Sequence, residues 1–424
     1  MKAGGLRELQ VRLRFAPDDV RDVGQLAERG REVWFEYAPS FIAGGLELSP
    51  LKLPLRAGLV QHTISAGAPI PGVFNDARPD GWGLKLLHRM FQTRGRAASA
   101  VSPLDELAYL GAHTMGALSF EPTTGPVGDL HDAVELAALA AHAQTVWDDR
   151  VVDVLPQLVL AGGPSGGARP KALVGLPADG GPGVVYGEGE LPPGFEAWLV
   201  KFPMARDDLD VGRRESAWMT MARAAGLDAP EHKILPLKGV GDAFAVRRFD
   251  RPGGGQRRHM LSAAGALNAD FRTAAADYEH LLRATAFICR NDQAQLLQMF
   301  RLAVFNVATM NEDDHLKNFA WIVGPDGRWR LAPAYDLTYA PQPRGERATT
   351  VTGAGHNIER AHLLRLAERV GIPARAAARV LDEVTQATLA VEQHLADAGC
   401  RGPVSTAAAE AVQQATTRLQ GRSA

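Results

Sequence analysis

The most suggestive residues for chemistry stand in Asn311-Glu-Asp-Asp-His-Leu-Lys-Asn318, directly behind a long apolar run. Asp313 and Asn318 form an Asp-x-x-x-x-Asn spacing, and a further carboxylate, Asp336, follows in LAPAYDL. Two carboxylates and an amide brought together suit Mg²⁺, which takes oxygen ligands and commonly shares them with substrate phosphates. The same set serves phosphoryl transfer, where one carboxylate orients a hydroxyl and the others hold the metal. The plainer alternative is a capped surface loop whose carboxylates pair with His315 and Lys317.

Three further stretches carry possible chemistry. Ser165-Gly-Gly-Ala-Arg-Pro-Lys171 precedes a strand-like run, and consecutive glycines let backbone N–H groups converge on an anion. It matches neither the Walker pattern nor GxGxxG, and by itself is equally a simple loop. Lys201 in AWLVKFP lies inside an apolar strand, where a lysine either snorkels to water or meets a phosphate or carboxylate. Glu215 on the next helical run is a possible partner for it. Val246-Arg-Arg-Phe-Asp-Arg251 ends a strand and offers backbone groups to a purine, although Phe249 fits a core and Asp250 fits a pair with an arginine.

The elements that must position these residues fall into a recognisable order. Up to about residue 125 the chain alternates strand-like runs such as REVWFEY with turns, and FNDARPDGWGLKLL predicts a turn at Arg78–Gly81 followed by a helix carrying Leu84, Leu87 and Met90. LHDAVELAALAAHAQTVWDD reads as a helix. The segment 160–251 predicts a small, mostly antiparallel sheet with one helix inserted, stopped at Gly226. From Asp277 the chain is nearly all helical, and DQAQLLQMFRLAVFNVATM is apolar almost all round near its end, as a central buried helix is. Gly-rich loop, strand lysine, helix glutamate, closing strand, helical lobe, Asp-x-x-x-x-Asn loop and second Asp is the order of parts in a protein kinase. The HRD and DFG signatures of that class are absent.

At this point the chain resembles the HipA family of serine/threonine kinase toxins from bacterial HipBA-type toxin–antitoxin modules. The resemblance runs over essentially the whole length: FNDARPDGWGLKLL, GGARPKALV, WLVKFP, RRFDR, RRHMLS, NEDDHLKNFA and LAPAYDL follow in family order, the last two being the most specific. It implies an α+β, bilobal, kinase-like fold with a β-rich N-terminal subdomain over 1–125, a β-rich ATP lobe over 126–255 and an all-helical C-terminal lobe over 256–424. It implies ATP and Mg²⁺ as cofactors, with Asp313 as the catalytic base and Asn318 and Asp336 holding the metal. Lys201 would contact the phosphates; Gly166, Gly167, Ala168, Arg169 and Lys171 would cover them. The backbone of Arg247–Phe249 would meet adenine, Asp250 the ribose, and His315 and Lys317 match similar residues of the family's catalytic loop. The family's autophosphorylated serine aligns with Pro164, so Ser165, one residue nearer the glycines, is the candidate here; Arg247 stands where the family has a hinge glutamate. The implied substrate is a protein hydroxyl, such as that of an aminoacyl-tRNA synthetase or another translation protein. The implied partner is a HipB-like helix-turn-helix antitoxin that makes most of the DNA contacts. The rival readings are a small-molecule kinase of the aminoglycoside-phosphotransferase type and a catalytically silent nucleotide-binding regulator.

Composition narrows the classes. The 424 residues carry 46 Lys+Arg against 48 Asp+Glu, a net charge of −2, which argues against bulk electrostatic binding to nucleic acid or an anionic membrane. Cys289 and Cys400 are far apart and offer neither a disulfide framework nor metal-ligand spacing, which fits a reducing cytoplasm. The N-terminus has no signal-peptide core, and no run reaches the length of a membrane span.

Overall fold

The computed structural model describes residues 6–421 apart from 66, 126–134, 151–155, 164–166, 182, 187–190, 273–275 and 343–344. Its contacts group the chain into two compact units. The first comprises Met1–Ala205, Pro236–Asp270 and Ile322–Arg328, and the second Arg206–Leu235, Phe271–Trp321 and Trp329–Ala424. The expected α+β architecture is observed.

In the first unit, β1 (Arg7–Ala16), β2 (Asp19–Arg29), β3 (Glu32–Tyr37), β4 (Val60–His62) and β5 (Leu118–Glu121) form a sheet in the order β4-β3-β2-β1-β5. Strict alternation in β1 buries Leu9, Val11, Leu13 and Phe15 on one face, the period-2 signature of a half-covered sheet. Phe35 meets Phe74 at 4.8 Å between ring centroids, and Phe74 meets Phe120 at 6.3 Å, so the short helix Gly72–Asp76 closes that face. The helix Gly81–Thr93 begins at the expected turn. It buries Trp82, Leu86, Leu87, Met90 and Phe91; Leu84, expected on the inner face, is only half-buried because Trp82 and Leu86 define the stripe.

A second antiparallel sheet is built from β6 (Lys171–Pro177), β7 (Val185–Tyr186) and β8 (Phe195–Lys201) in the order β7-β6-β8, continued beyond β8 by the strand Gly241–Arg247. Trp198 and Val200 of β8 are buried, whereas Ala197, Leu199 and Lys201 are half-buried.

The second unit is mainly helical, with the short parallel strands Ala276–Asp277 and Thr349–Thr350 among its helices. The helix Gln293–Ala308 starts at an Asp292 cap, whose carboxylate accepts the Ala294 amide at 3.0 Å, and every residue from Leu302 to Ala308 is buried. The helices Tyr278–Ile288, Ala374–Thr388 and Pro403–Leu419 belong to the same unit. No helix among the described residues is long and apolar enough to cross a membrane.

Candidate active site

In the second sheet the register decides which side chains share a face. Lys171 and Lys201 are cross-strand partners, and Phe244 lies opposite Lys201 on the other side; Leu173, Leu199 and Val246 form the next rank. One face thus carries two ammonium groups at one end and aliphatic side chains behind them, suited to a ligand with an anionic and an apolar end. The Lys201 Nζ stands 5.8 Å from the Phe244 ring centroid. Lys171 is buried, and its ammonium lies under Gly167: a Cβ added to that glycine (φ +84) would be 2.6 Å from Lys171 Nζ. Of the remaining loop residues, Ala168 is exposed and Arg169 half-buried; Ser165 and Gly166 lie outside the described residues, as does Pro164.

Arg247 belongs to the opposite face of the sheet. It pairs in register with Trp198, forms an ion pair with Glu196 at 2.8 Å, and lines a cavity of about 730 Å³ together with Arg14 and Arg257. The Arg248 amide donates to the Ala197 carbonyl at 2.8 Å. Phe249 is half-buried. Asp250 is 1% exposed and is occupied internally, pairing with Arg248 and Arg251 at 2.8 Å each and accepting the Gly116 amide at 2.8 Å. Burial alone would raise its pKa, but the two guanidiniums hold it well below the usual carboxylate range. Glu215, considered as a partner of Lys201, is buried on the helix Val211–Ala224 of the second unit.

In the second unit the loop after the buried helix is held from several sides. The Asn311 amide returns to the Asn306 carbonyl at 3.0 Å, the Glu312 amide donates to Ala340 O at 3.2 Å, and Ala348 N donates to Glu312 O at 2.9 Å. Adjacent aspartates then take opposite environments. Asp314 is fully buried. Its Oδ2 accepts the Tyr278 hydroxyl at 2.6 Å and Arg347 Nη2 at 2.8 Å, and its Oδ1 accepts the Thr349 amide at 3.0 Å. Asn306 donates to the Tyr278 oxygen at 3.0 Å, and Asn311 Nδ2 donates to Asn306 Oδ1 at 3.1 Å, so the network ties the loop back to the helix that carries it. Asp313 is exposed. Partial enclosure of its carboxyl raises the pKa, His315 opposes this, and the neighbouring carboxylates of Asp336 and Asp314 raise it further.

Asn318 donates from Nδ2 to the Asp313 carbonyl at 2.9 Å, at the end of a 3₁₀ turn, Leu316–Asn318. Asp336 has a left-handed backbone (φ 56), a conformation costly for a residue with a side chain and concentrated at functional sites. Asn318 bonded to the Asp313 backbone, and Asp336 near enough to raise the Asp313 pKa, make the three residues neighbours. Among the described residues no three His, Cys, Asp or Glu side chains cluster as a self-contained cation cage. Two carboxylates and an amide instead fit Mg²⁺, which keeps positions for water and phosphate oxygens. His315 packs on Phe271 with ring centroids 5.2 Å apart, and its Nδ1 is buried with no hydrogen-bond partner among the described residues. Lys317 Nζ stands 5.5 Å from the same Phe271 ring, and the Lys317 carbonyl accepts the Tyr335 hydroxyl at 2.6 Å. Tyr278 and Arg347 were not foreseeable as site residues, standing 36 and 33 residues from Asp314 in sequence; Asn306 is only five residues before Asn311 but lies inside the apolar run, where a lone Asn carries no local signal.

Known proteins resemble this chain in sequence and in fold. The HipA N-terminal domain model matches residues 18–121, and the HipA-like C-terminal domain model matches 164–391. A Sinorhizobium fredii protein named "Putative kinase Y4dM" is 31% identical over 33% of this chain, an alignment spanning only 37% of that relative's length. The serine/threonine-protein kinase toxin HipA of Shewanella oneidensis is 27% identical over 54% of each chain. The HipA chain solved in the Shewanella oneidensis complex of HipA, HipB and operator DNA shares the fold, with a TM-score of 0.71 at 19% identity and 98% of each chain covered. With the C-terminal model alone covering more than half of its residues and the N-terminal model falling on the first sheet, the chain belongs to the HipA-like family.

Proposed function

We propose that this protein is an ATP- and Mg²⁺-dependent serine/threonine protein kinase that transfers the γ-phosphate of ATP to a protein hydroxyl. The observation that carries this reading is the contrast between Asp313 and Asp314. One carboxylate is buried and bonded on all sides, and this fixes its neighbour as an exposed acceptor beside a second carboxylate and an amide. Asp313 takes the proton of the attacking hydroxyl as its oxygen bonds to the γ-phosphorus and the bond to the ADP oxygen breaks. Asn318 and Asp336 hold Mg²⁺, which when bound neutralises charge on the phosphates. Lys201 and Lys171 supply further positive charge, with the residues from Gly167 to Arg169 as the loop over the phosphates. The aliphatic rank of Leu173, Leu199 and Val246 receives the adenine, with the backbone near Arg247–Phe249 at its edge; Asp250 supports that segment through Arg248 and Arg251. His315 and Lys317 line the base side of the loop.

Membership of the HipA-like family and the names of its relatives support the reading as a kinase toxin of a toxin–antitoxin pair. The substrate we propose for it is a cytoplasmic translation protein, such as an aminoacyl-tRNA synthetase. A HipB-like antitoxin would be its partner and would make most of the DNA contacts. Incubation with ATP and Mg²⁺, alone and with a cell lysate, followed by intact-mass and peptide mass spectrometry tests the proposal. A phosphate on Ser165 or on a lysate protein, absent with Asp313→Asn, is the expected result. No transfer to any protein while ATP is bound would refute it.

A further inference from the structure

The start of the helix Gly81–Thr93 is fitted to the glycine-rich loop. Asp80, immediately before it, is 7% exposed, and its Oδ1 accepts the Gly167 amide. The Trp82 amide donates to the Gly167 carbonyl at 2.9 Å, so both backbone groups of Gly167 are held by this one turn. The fully buried Trp82 ring sends its Nε1 to the Lys171 carbonyl at 3.0 Å. Gly81, between the two, has φ +43, and a Cβ there would stand 2.5 Å from the Gly167 carbonyl oxygen. On the other side of the indole, a Cβ on Gly162 would come within 2.9 Å of Trp82 Nε1. The Asp-Gly-Trp order thus supplies a charged acceptor, a residue without a side chain at the point of closest approach, and a double donor. Aspartate accepting a backbone N–H is among the stronger hydrogen bonds available to a neutral donor.

We propose that Asp80 and Trp82 are positioning residues for the nucleotide phosphates: they fix the Gly167–Lys171 segment so that its peptide groups and the Lys171 ammonium are presented to the anion. The inference rests on the kinase reading above. The Gly167 N–H is already given to Asp80, so within Gly167–Lys171 the donors left for a phosphate are the peptide units that follow Gly167 and the Lys171 ammonium. Neither Asp80 nor Trp82 need touch the ligand.

The test uses the full chain with Asp80→Ala, Asp80→Asn and Trp82→Phe. Titration calorimetry with Mg²⁺ compares ATP with adenosine, which has no phosphates. Hydrogen exchange of the nucleotide-free protein follows the peptide that starts at Gly167. For Asp80→Ala the expected result is faster exchange in that peptide and an ATP Kd about tenfold weaker, with adenosine affinity unchanged. Asp80→Asn, which keeps an acceptor, should recover part of both, and Trp82→Phe should act in the same direction. A general folding defect would weaken ATP and adenosine together, and that outcome overturns the proposal. Unchanged or tighter ATP binding by Asp80→Ala, with wild type binding normally, also overturns it. Wild-type protein that binds no ATP would refute the kinase reading instead, and the exchange arm would still decide whether Asp80 holds the loop.

Discussion

Removing Arg347 is expected to destabilise the second unit more than any single change to the exposed carboxylate of Asp313, the proposed base. Asp314 is 0% exposed and accepts two hydrogen bonds from Arg347, at 2.8 and 3.2 Å, besides those of Tyr278 and Thr349. Arg347→Met keeps most of the volume and leaves a buried, uncompensated carboxylate, which costs about 3–5 kcal/mol. Tyr278→Phe removes one bond to the same carboxylate and the acceptor of Asn306 Nδ2, a loss of about 1.5–3 kcal/mol. Asp314→Leu combined with Arg347→Met removes both charges, so the double variant should be more stable than the sum of the single losses by about 2 kcal/mol or more. Asp313→Asn, one residue away, should fall within about 0.5 kcal/mol of wild type while abolishing phosphate transfer. Urea unfolding followed by tryptophan fluorescence reads these values; the buried Trp321, whose indole bonds Thr285 Oγ1 at 3.3 Å, reports on this unit. A loss below about 1 kcal/mol for Arg347→Met, or strict additivity in the cycle, would refute the account of Asp314 as a charge held only by its partners.

Three other outcomes follow from the geometry. Asp336→Ala should weaken Mg²⁺-dependent ATP binding while leaving Mg²⁺-independent binding of adenosine intact, read by calorimetry with and without chelator. Gly81→Ala places a Cβ 2.5 Å from a backbone oxygen at a left-handed φ and should cost about 1–3 kcal/mol, seen as a lowered urea midpoint. Asp250, whose folded pKa is depressed below its unfolded value of about 3.9, gives stability that is complete above that pH and is lost as pH falls through the folded value. Asp250→Asn should therefore be less stable than wild type at neutral pH, and the gap should narrow in acid-unfolding curves below about pH 4.

The types and order of the functional parts are local properties, and the sequence alone determined them. The strand-like runs REVWFEY and AWLVKFP, the apolar run ending at Ala308, and the polar cluster behind it can be read because strand and helix patterns act over a few residues. From spacing and chemistry, Asp313, Asn318 and Asp336 could be grouped as a set suited to Mg²⁺ and phosphate. What sequence cannot supply is the environment of a side chain, because that is fixed by residues distant along the chain. Asp313 and Asp314 are chemically identical neighbours; only the arrival of Tyr278, Arg347 and Thr349 makes one a buried anchor and the other an exposed acceptor. Asp250 could be read as a ligand-binding residue or as the partner of a neighbouring arginine; the adjacent Arg248 and Arg251 take it, and the Gly116 amide, 134 residues away, completes its inward bonding. The strand parity that turns Arg247 away from the Lys201 face likewise exists only once β8 pairs with Gly241–Arg247. Asp80, Gly81 and Trp82 read locally as a turn opening a helix. Their bonds to Gly167 and Lys171, across more than eighty residues of chain, are decided by tertiary packing, since hydrogen bonds and close approaches depend on distance in space and not in sequence.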